Sequence, residues 1–243
     1  MFNNMTTDGM EKQKDTLGGR RIFDTAIYNA KIKLAYGLVS EGGAKGVQFI
    51  FEMDGAEFRN TQYVSSRAGK NYYERDGKKF PLPGFTIVND ICMIAGGAEL
   101  SEMELEDRVV KVYNPKTKQE EPTTVPVLVD LLGQEVALGI QRVLENKSVY
   151  NESTKKYEPT EEEIEINEID KVFHPELKLT VAEAMNDQEA TFWDAWIEQR
   201  EGQVRDRRTA GRSGVRKGIP SRPSKSDGGE GGRKKKASVF NKK

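Results

Sequence analysis

The side chains best suited to chemistry gather in one stretch, KNYYERDGKKFPLPGF, residues 70–85. It sets Tyr72, Tyr73 and Phe80 among four cations, Lys70, Arg75, Lys78 and Lys79, opposed only by Glu74 and Asp76. Flat rings interleaved with cations suit single-stranded nucleic acid. Each base stacked on a ring contributes about 1 to 3 kcal/mol. Each phosphate neutralised adds about −0.7 to the slope of log affinity against log salt. Asp76-Gly77 reads as a two-residue hairpin turn, since both central positions of such a turn need positive φ. Pairing outward sets Arg75 against Lys78, Glu74 against Lys79 and Tyr73 against Phe80. Because strand side chains alternate, Tyr73, Arg75, Lys78 and Phe80 share one face and Tyr72 lies on the other. Tyr63 and Arg67 lie on the approach to this hairpin, and Lys31 and Lys33 on the polar face of an earlier strand; all four join the candidate set of contacts to a single strand. The structural alternative is a hairpin whose Tyr73 and Phe80 pack down on a barrel beneath merely solvated lysines.

Other chemistries find less support. Asp76-Gly77-Lys78 matches the D-x-K half of a metal-dependent nuclease motif, which makes a magnesium nuclease the enzymatic alternative. No Pro-Asp partner precedes it, and turn formation already explains Asp76 and Gly77. The glycines of EGGAKGV and AGKN lack the GxxxxGK[ST] spacing of a phosphate-binding loop. His174 is the only histidine, in a polar FHPE turn, and Cys92 the only cysteine. An intramolecular disulfide and a Cys/His zinc site are therefore excluded. The carboxylates of PTEEEIEINEIDKVF read as a solvated acidic face. No catalytic residue, metal or cofactor is implied.

The elements that must position the hairpin begin with TAIYNAKIKLAYG, whose alternation puts Tyr28, Ala30, Ile32, Leu34 and Tyr36 on one face of a strand and Asn29, Lys31 and Lys33 on the other. GVQFIFEM and AEFRNTQYV flank a second turn, Asp54-Gly55, and that register sets Phe51 opposite Phe58. PGFTIVNDICMIAGG carries the apolar stripe of a helix that stops at Gly96-Gly97. DRVVKVYN and EVALGIQRVLE read as further strands. Five main strands with one helix between the third and fourth make a mainly β chain with the layout of an OB-fold, a Greek-key barrel, here with an extra hairpin. PTEEEIEINEIDKVF is open between an extended segment and a helix capped by Thr160 with Glu163. TVAEAMNDQEATFWDAWIEQR is a C-terminal helical segment with a Thr180–Glu183 capping box, its aromatic stripe docking it on the body.

Charge divides the chain. From Arg200 onward the sequence carries 15 Lys+Arg against 4 Asp+Glu, so a net charge of −1 over 243 residues hides an acidic body and a basic tail. The expected organisation is a flexible segment over 1–19, a single OB-fold domain over 20–199 and a disordered basic tail over 200–243. Apolar runs fall short of the roughly 18 residues of a membrane span, and the start lacks signal-peptide character, so a soluble cytoplasmic protein is expected. A tail-mediated protein-interaction module is the non-enzymatic alternative.

Four blocks carry a family resemblance: LGGRRIFDTAIYNAKIKLAY, YVSSRAGKNYYERDGKKFPLPGF, VPVLVDLLGQEVALGI, and NEIDKVF with TVAEAM. Together, over about residues 17–196, they resemble the single-stranded DNA-binding proteins of podovirus-type bacteriophages. The resemblance implies an OB-fold that coats single-stranded DNA in phage replication, recombination and repair, in the host cytoplasm, without sequence preference or catalysis. It supports Lys70, Tyr72, Tyr73, Arg75, Lys78 and Lys79 as DNA contacts. Many single-strand binding proteins end in an acidic tail, whereas this chain ends GGRKKKASVFNKK. That tail either adds DNA affinity or docks a phage DNA or RNA polymerase, with Phe240 as anchor and Lys242 and Lys243 as charges.

Overall fold

A computed structural model describes residues 21–208 except 115, 116, 118 and 155. Strands β1 (Ala26–Val39), β2 (Lys45–Met53) and β3 (Ala56–Tyr63) form an antiparallel meander. Its second turn has Asp54 at φ 48° and Gly55 at φ 69°, and Phe51 faces Phe58 as expected. Strands β4 (Tyr72–Arg75) and β5 (Lys78–Pro81) make a separate two-stranded sheet. Helix α1 (Pro83–Ile91) starts on a proline, whose missing N–H is no loss in a first turn. It widens into a π turn over Cys92–Gly96 and ends at Gly97, φ 75°.

The next strands depart from expectation. DRVVKVYN belongs to β6 (Leu105–Asn114), which pairs along its length with β7 (Gln119–Leu128). β7 holds Pro122 and Pro126, residues that argue against a strand because each removes a ladder donor. EVALGIQRVLE lies in β8 (Glu135–Asn151), beside β1, and its hairpin partner β9 (Lys156–Phe173) is the acidic stretch. The ambiguity over that stretch resolves as extended: the Thr160 hydroxyl donates to the Lys147 carbonyl across the hairpin, at 2.9 Å, rather than capping a helix. The main sheet runs β3-β2-β1-β8-β9, antiparallel throughout.

β1 also departs from simple alternation. A β-bulge at Lys33, between Ile32 and Leu34, puts an extra residue in the strand and shifts the facing set by one. Ile32 and Ala35 are both buried in the core, while Leu34 and Tyr36 turn to the other side, against Ile50 and Gln48. Before the bulge β1 pairs with β8; after it, Tyr36 pairs with Val127 of β7. One strand thus joins the main sheet to the β6–β7 arm.

The core covers one side of the meander with Phe49, Phe51, Met53, Phe58, Ile87 and Ile91, closed by Leu138, Ile140 and Val172 of the long hairpin. Asn167 fastens the N-terminal edge: its amide accepts from Phe23 N at 2.8 Å and donates to Phe23 O at 2.7 Å. At the other end the expected single helix is two, α2 (Val181–Met185) and α3 (Phe192–Arg200), separated where Asp187 takes φ 51°. The capping box is present, and the aromatic stripe docks the helix as expected. Trp196 is buried with Ala137 and Phe173, and its Nε1 donates to Asp170 at 2.7 Å. Gly139 makes room for it, since a Cβ there would lie 3.1 Å from the indole. The chain expected to lose order at Arg200 instead adds β10 (Val204–Asp206), parallel to β8. The segment 1–19 and the tail beyond 208 lie outside the described residues, as do Phe240, Lys242 and Lys243. No helix among the described residues is long and apolar enough to cross a membrane.

Candidate nucleic-acid interface

The β4–β5 hairpin forms in the register that its sequence predicts, with Arg75 opposite Lys78, Glu74 opposite Lys79 and Tyr73 opposite Phe80. Asp76 at φ 52° and Gly77 at φ 72° close the turn. Tyr73 and Phe80 stack on one another with ring centroids 5.6 Å apart and stay 48% and 38% exposed. They are not packed down as core. Tyr72, on the other face, is half-buried and has ammonium groups over its ring, Lys79 at 4.6 Å and Lys70 at 5.6 Å. Among the described residues only Arg75 of the hairpin cations has a carboxylate partner, its neighbour Asp76 at 3.4 Å. Both groups of that pair are highly exposed, and such pairs contribute little.

The approach is built on close backbone contacts. Leu82 N donates to Asn71 O at 2.9 Å and closes the base of the hairpin. Gly84 lets the first turn of α1 press on β3, because a Cβ there would lie 2.4 Å from the Tyr63 carbonyl. Tyr63 is exposed, and its ring borders Gly46 of β2. Arg67 is exposed too, its guanidinium lying over Gly42 in the β1–β2 turn. Tyr63, Arg67 and Lys70 thus stand with the hairpin at one end of the meander.

Lys31 and Lys33 do not. Lys31 is paired with Glu52 across the sheet, and Lys33 makes a 2.7 Å ion pair to the same carboxylate, which holds that ammonium above its usual range. The register sets Glu52 six residues along β2 from Gly46, the partner of Tyr63, a separation of about 20 Å.

A second feature escaped the sequence reading. The face of the meander away from the core, with the β6–β7 arm beside it, forms a groove of about 1070 Å³. Its walls include Tyr36, Gln48, Arg59 and Thr61 on the sheet and Tyr113 and Val125 on the arm. Arg59 spans them, paired with Glu57 on its own strand and with Glu120 of β7 at 2.8 Å. Lys45, Gly46 and Val64 line the groove at the end where Tyr63 stands. The polar alternation Glu57, Arg59, Thr61 was the available signal, but without β7 nothing marked it as a wall.

The remaining chemistry-bearing residues have structural places. His174 accepts at Nδ1 from the backbone of Glu176 and Leu177, and burial lowers its basicity, with Glu176 opposing. Cys92 is buried, and burial first, then Asp130, pushes its thiol up to about 12. Among the described residues no three of His, Cys, Asp and Glu converge as metal ligands would. No protein family, curated protein or solved structure significantly matches the chain.

Proposed function

We propose that the chain is a non-catalytic, sequence-nonspecific single-stranded DNA-binding protein, and that β1, β2, β3, β8 and β9 with α1 are an OB-type barrel left open between β3 and β9. The observation that carries this reading is the stacked, exposed Tyr73–Phe80 pair among hairpin cations free of strong ion pairs. Exposed rings in mutual contact retain their outer π faces for bases, and the surrounding ammonium groups lie where phosphates would track. The barrel assignment is supported by the strand order and by the place of α1 between the third and fourth barrel strands. On this reading the strand follows the hairpin past Tyr63 and Arg67 into the groove beside Arg59. The setting is the one that the bacteriophage resemblance implies: coating of single-stranded DNA during phage replication, recombination and repair in the host cytoplasm, with the basic tail meeting DNA or a polymerase.

The test is a titration of end-labelled oligo-dT, read by fluorescence anisotropy at several salt concentrations with and without magnesium. Saturable binding with a negative salt slope, an intact oligonucleotide in magnesium and weaker binding to duplex are expected. Cleavage of the oligonucleotide, or equal affinity for duplex, overturns the proposal.

A further inference from the structure

The β6–β7 arm ends on an open strand edge. Among the described residues β6 pairs with no strand but β7. Val129 N donates to Glu104 O at 3.4 Å at the base of that ladder, so Glu104 and Val129 form a hydrogen-bonded pair. Hydrogen-bonded and non-hydrogen-bonded pairs alternate along an antiparallel ladder. The register therefore turns the N–H and C=O of Leu105, Asp107, Val109, Lys111 and Tyr113 away from β7. The prolines of β7 agree with this parity, since Pro122 and Pro126 stand opposite Lys111 and Asp107, where β6 requires no donor.

All five of those residues are exposed, Val109 by 69%. They also share one face of the strand, on which Leu105, Val109 and Tyr113 alternate with Asp107 and Lys111. An edge of 10 residues with apolar side chains and no proline is a template for another strand. β9, also paired on one side only, differs: Glu161, Glu162, Glu163 and Glu165 charge it against such pairing. Within β6, Arg108 and Glu106 already pair with one another at 2.6 Å, whereas Asp107 and Lys111 have no ion-pair partner among the described residues.

We propose that β6 pairs antiparallel with β6 of a second copy of this chain, about a twofold axis at Val109, so that two β6–β7 arms make one four-stranded sheet. Leu105 then faces Tyr113 of the second copy, Asp107 faces Lys111, and Val109 faces Val109, and the axis repeats each pair. The charges select this register. An axis at Arg108 sets Arg108 against Arg108, and axes at Asp107 or Lys111 oppose those residues to themselves. An axis at Val110 leaves Lys111 facing Val109 and Asp107 facing Tyr113. Like charges directly opposite destabilise a strand pair, so among these registers the axis at Val109 alone combines ion pairs with apolar pairs. This proposal is independent of DNA binding.

The test is sedimentation of the full chain without DNA, from micromolar to hundreds of micromolar. The wild type should pass from monomer to dimer. Val109→Pro removes a donor that faces outward and leaves the β6–β7 ladder intact, so this variant should keep its near-UV circular dichroism and stay monomeric. Asp107→Lys and Lys111→Asp each set like charges opposite one another on both sides of the axis, and each should weaken dimerisation at least about tenfold. Mixed in equal amounts, these two variants should dimerise as the wild type does, because every opposed pair is again of opposite sign. A wild-type chain that stays monomeric throughout leaves the edge to some other protein's strand and overturns the proposal. A dimer indifferent to Val109→Pro puts the contact elsewhere and overturns it too, and a mixture that fails to restore dimers overturns the register.

Discussion

Tyr73→Ala and Lys78→Ala should weaken DNA binding in different ways, because the hairpin puts a ring and a cation side by side on one face. Tyr73 offers one outer ring face, the inner one being covered by Phe80 at 5.6 Å. It can therefore hold a single base, and removing it loses about 1 to 3 kcal/mol, roughly a 5- to 140-fold rise in Kd. The loss should be the same at every salt concentration, since no charge is removed. Lys78 is exposed and has no carboxylate partner among the described residues, so its removal should flatten the slope of log affinity against log salt by about 0.7. Loss of affinity there is greatest at low salt and shrinks as salt rises. Anisotropy titrations of labelled oligo-dT at four or five salt concentrations separate intercept from slope, and Tyr73→Phe, which keeps the ring, should restore binding. Wild-type affinity in Tyr73→Ala would refute the stacking assignment, and a Tyr73→Ala effect that vanishes at high salt would refute its mechanism.

Further predictions concern the frame. Glu183 is buried; burial alone would raise its carboxyl, but bonds from Thr180 N at 2.9 Å, Phe192 N at 2.8 Å and Thr191 N at 2.9 Å hold it below the usual range. Its contribution is present above the unfolded pKa of about 4.3 and lost as pH falls through the lower folded value. Urea denaturation of Glu183→Gln should show about 1 to 2 kcal/mol less stability at pH 7, the difference between charged and neutral hydrogen bonds, with the gap closing in acid. Gly139→Ala drives a methyl against the Trp196 ring and should cost about 1 to 3 kcal/mol, with altered near-UV circular dichroism. Gly84→Ala meets backbone rather than a side chain and should lower Tm further than Gly139→Ala. Cys92 should react with a thiol reagent only when denaturant unfolds the chain, because it is buried and its thiol is pushed up to about 12.

Local chemistry was legible from sequence wherever a few neighbouring residues decide it. Asp54-Gly55 and Asp76-Gly77 dictate turns and with them the registers; Pro83 and Gly97 bracket the helix; Thr180 and Glu183 cap the next one. What failed depends on partners distant along the chain. β7 holds prolines that a strand tolerates only where a neighbour does not need their donors. β9 reads as a solvated acidic face because its Ile164, Ile166 and Ile169 make sense only against β8. Arg207 and Arg208 read as tail until Glu145, Glu163 and Glu168 are placed beside them. The candidate site divides likewise: the contiguous run from Tyr63 to Phe80 stays together, whereas Lys31 and Lys33 were grouped with it by residue type and lie at the far end of the sheet.

The extra residue in β1 has a bearing on how the sequence can vary. Before Lys33 the strand belongs to the main sheet, and after it the strand also carries the β6–β7 arm, with the inward-facing set offset by one. Lys33 itself contributes a surface ion pair, so exchanging it for another polar residue alters little. Deleting it would remove the bulge and leave Ile32 and Ala35 inward and Leu34 and Tyr36 outward in regular alternation, whereas deleting Leu34 as well would turn Ala35 out of the core and drive Tyr36 into it. The bulge is therefore where the strand best tolerates the loss of one residue, and a library of single-residue deletions along β1 would reveal a tolerance that a library of point substitutions would miss.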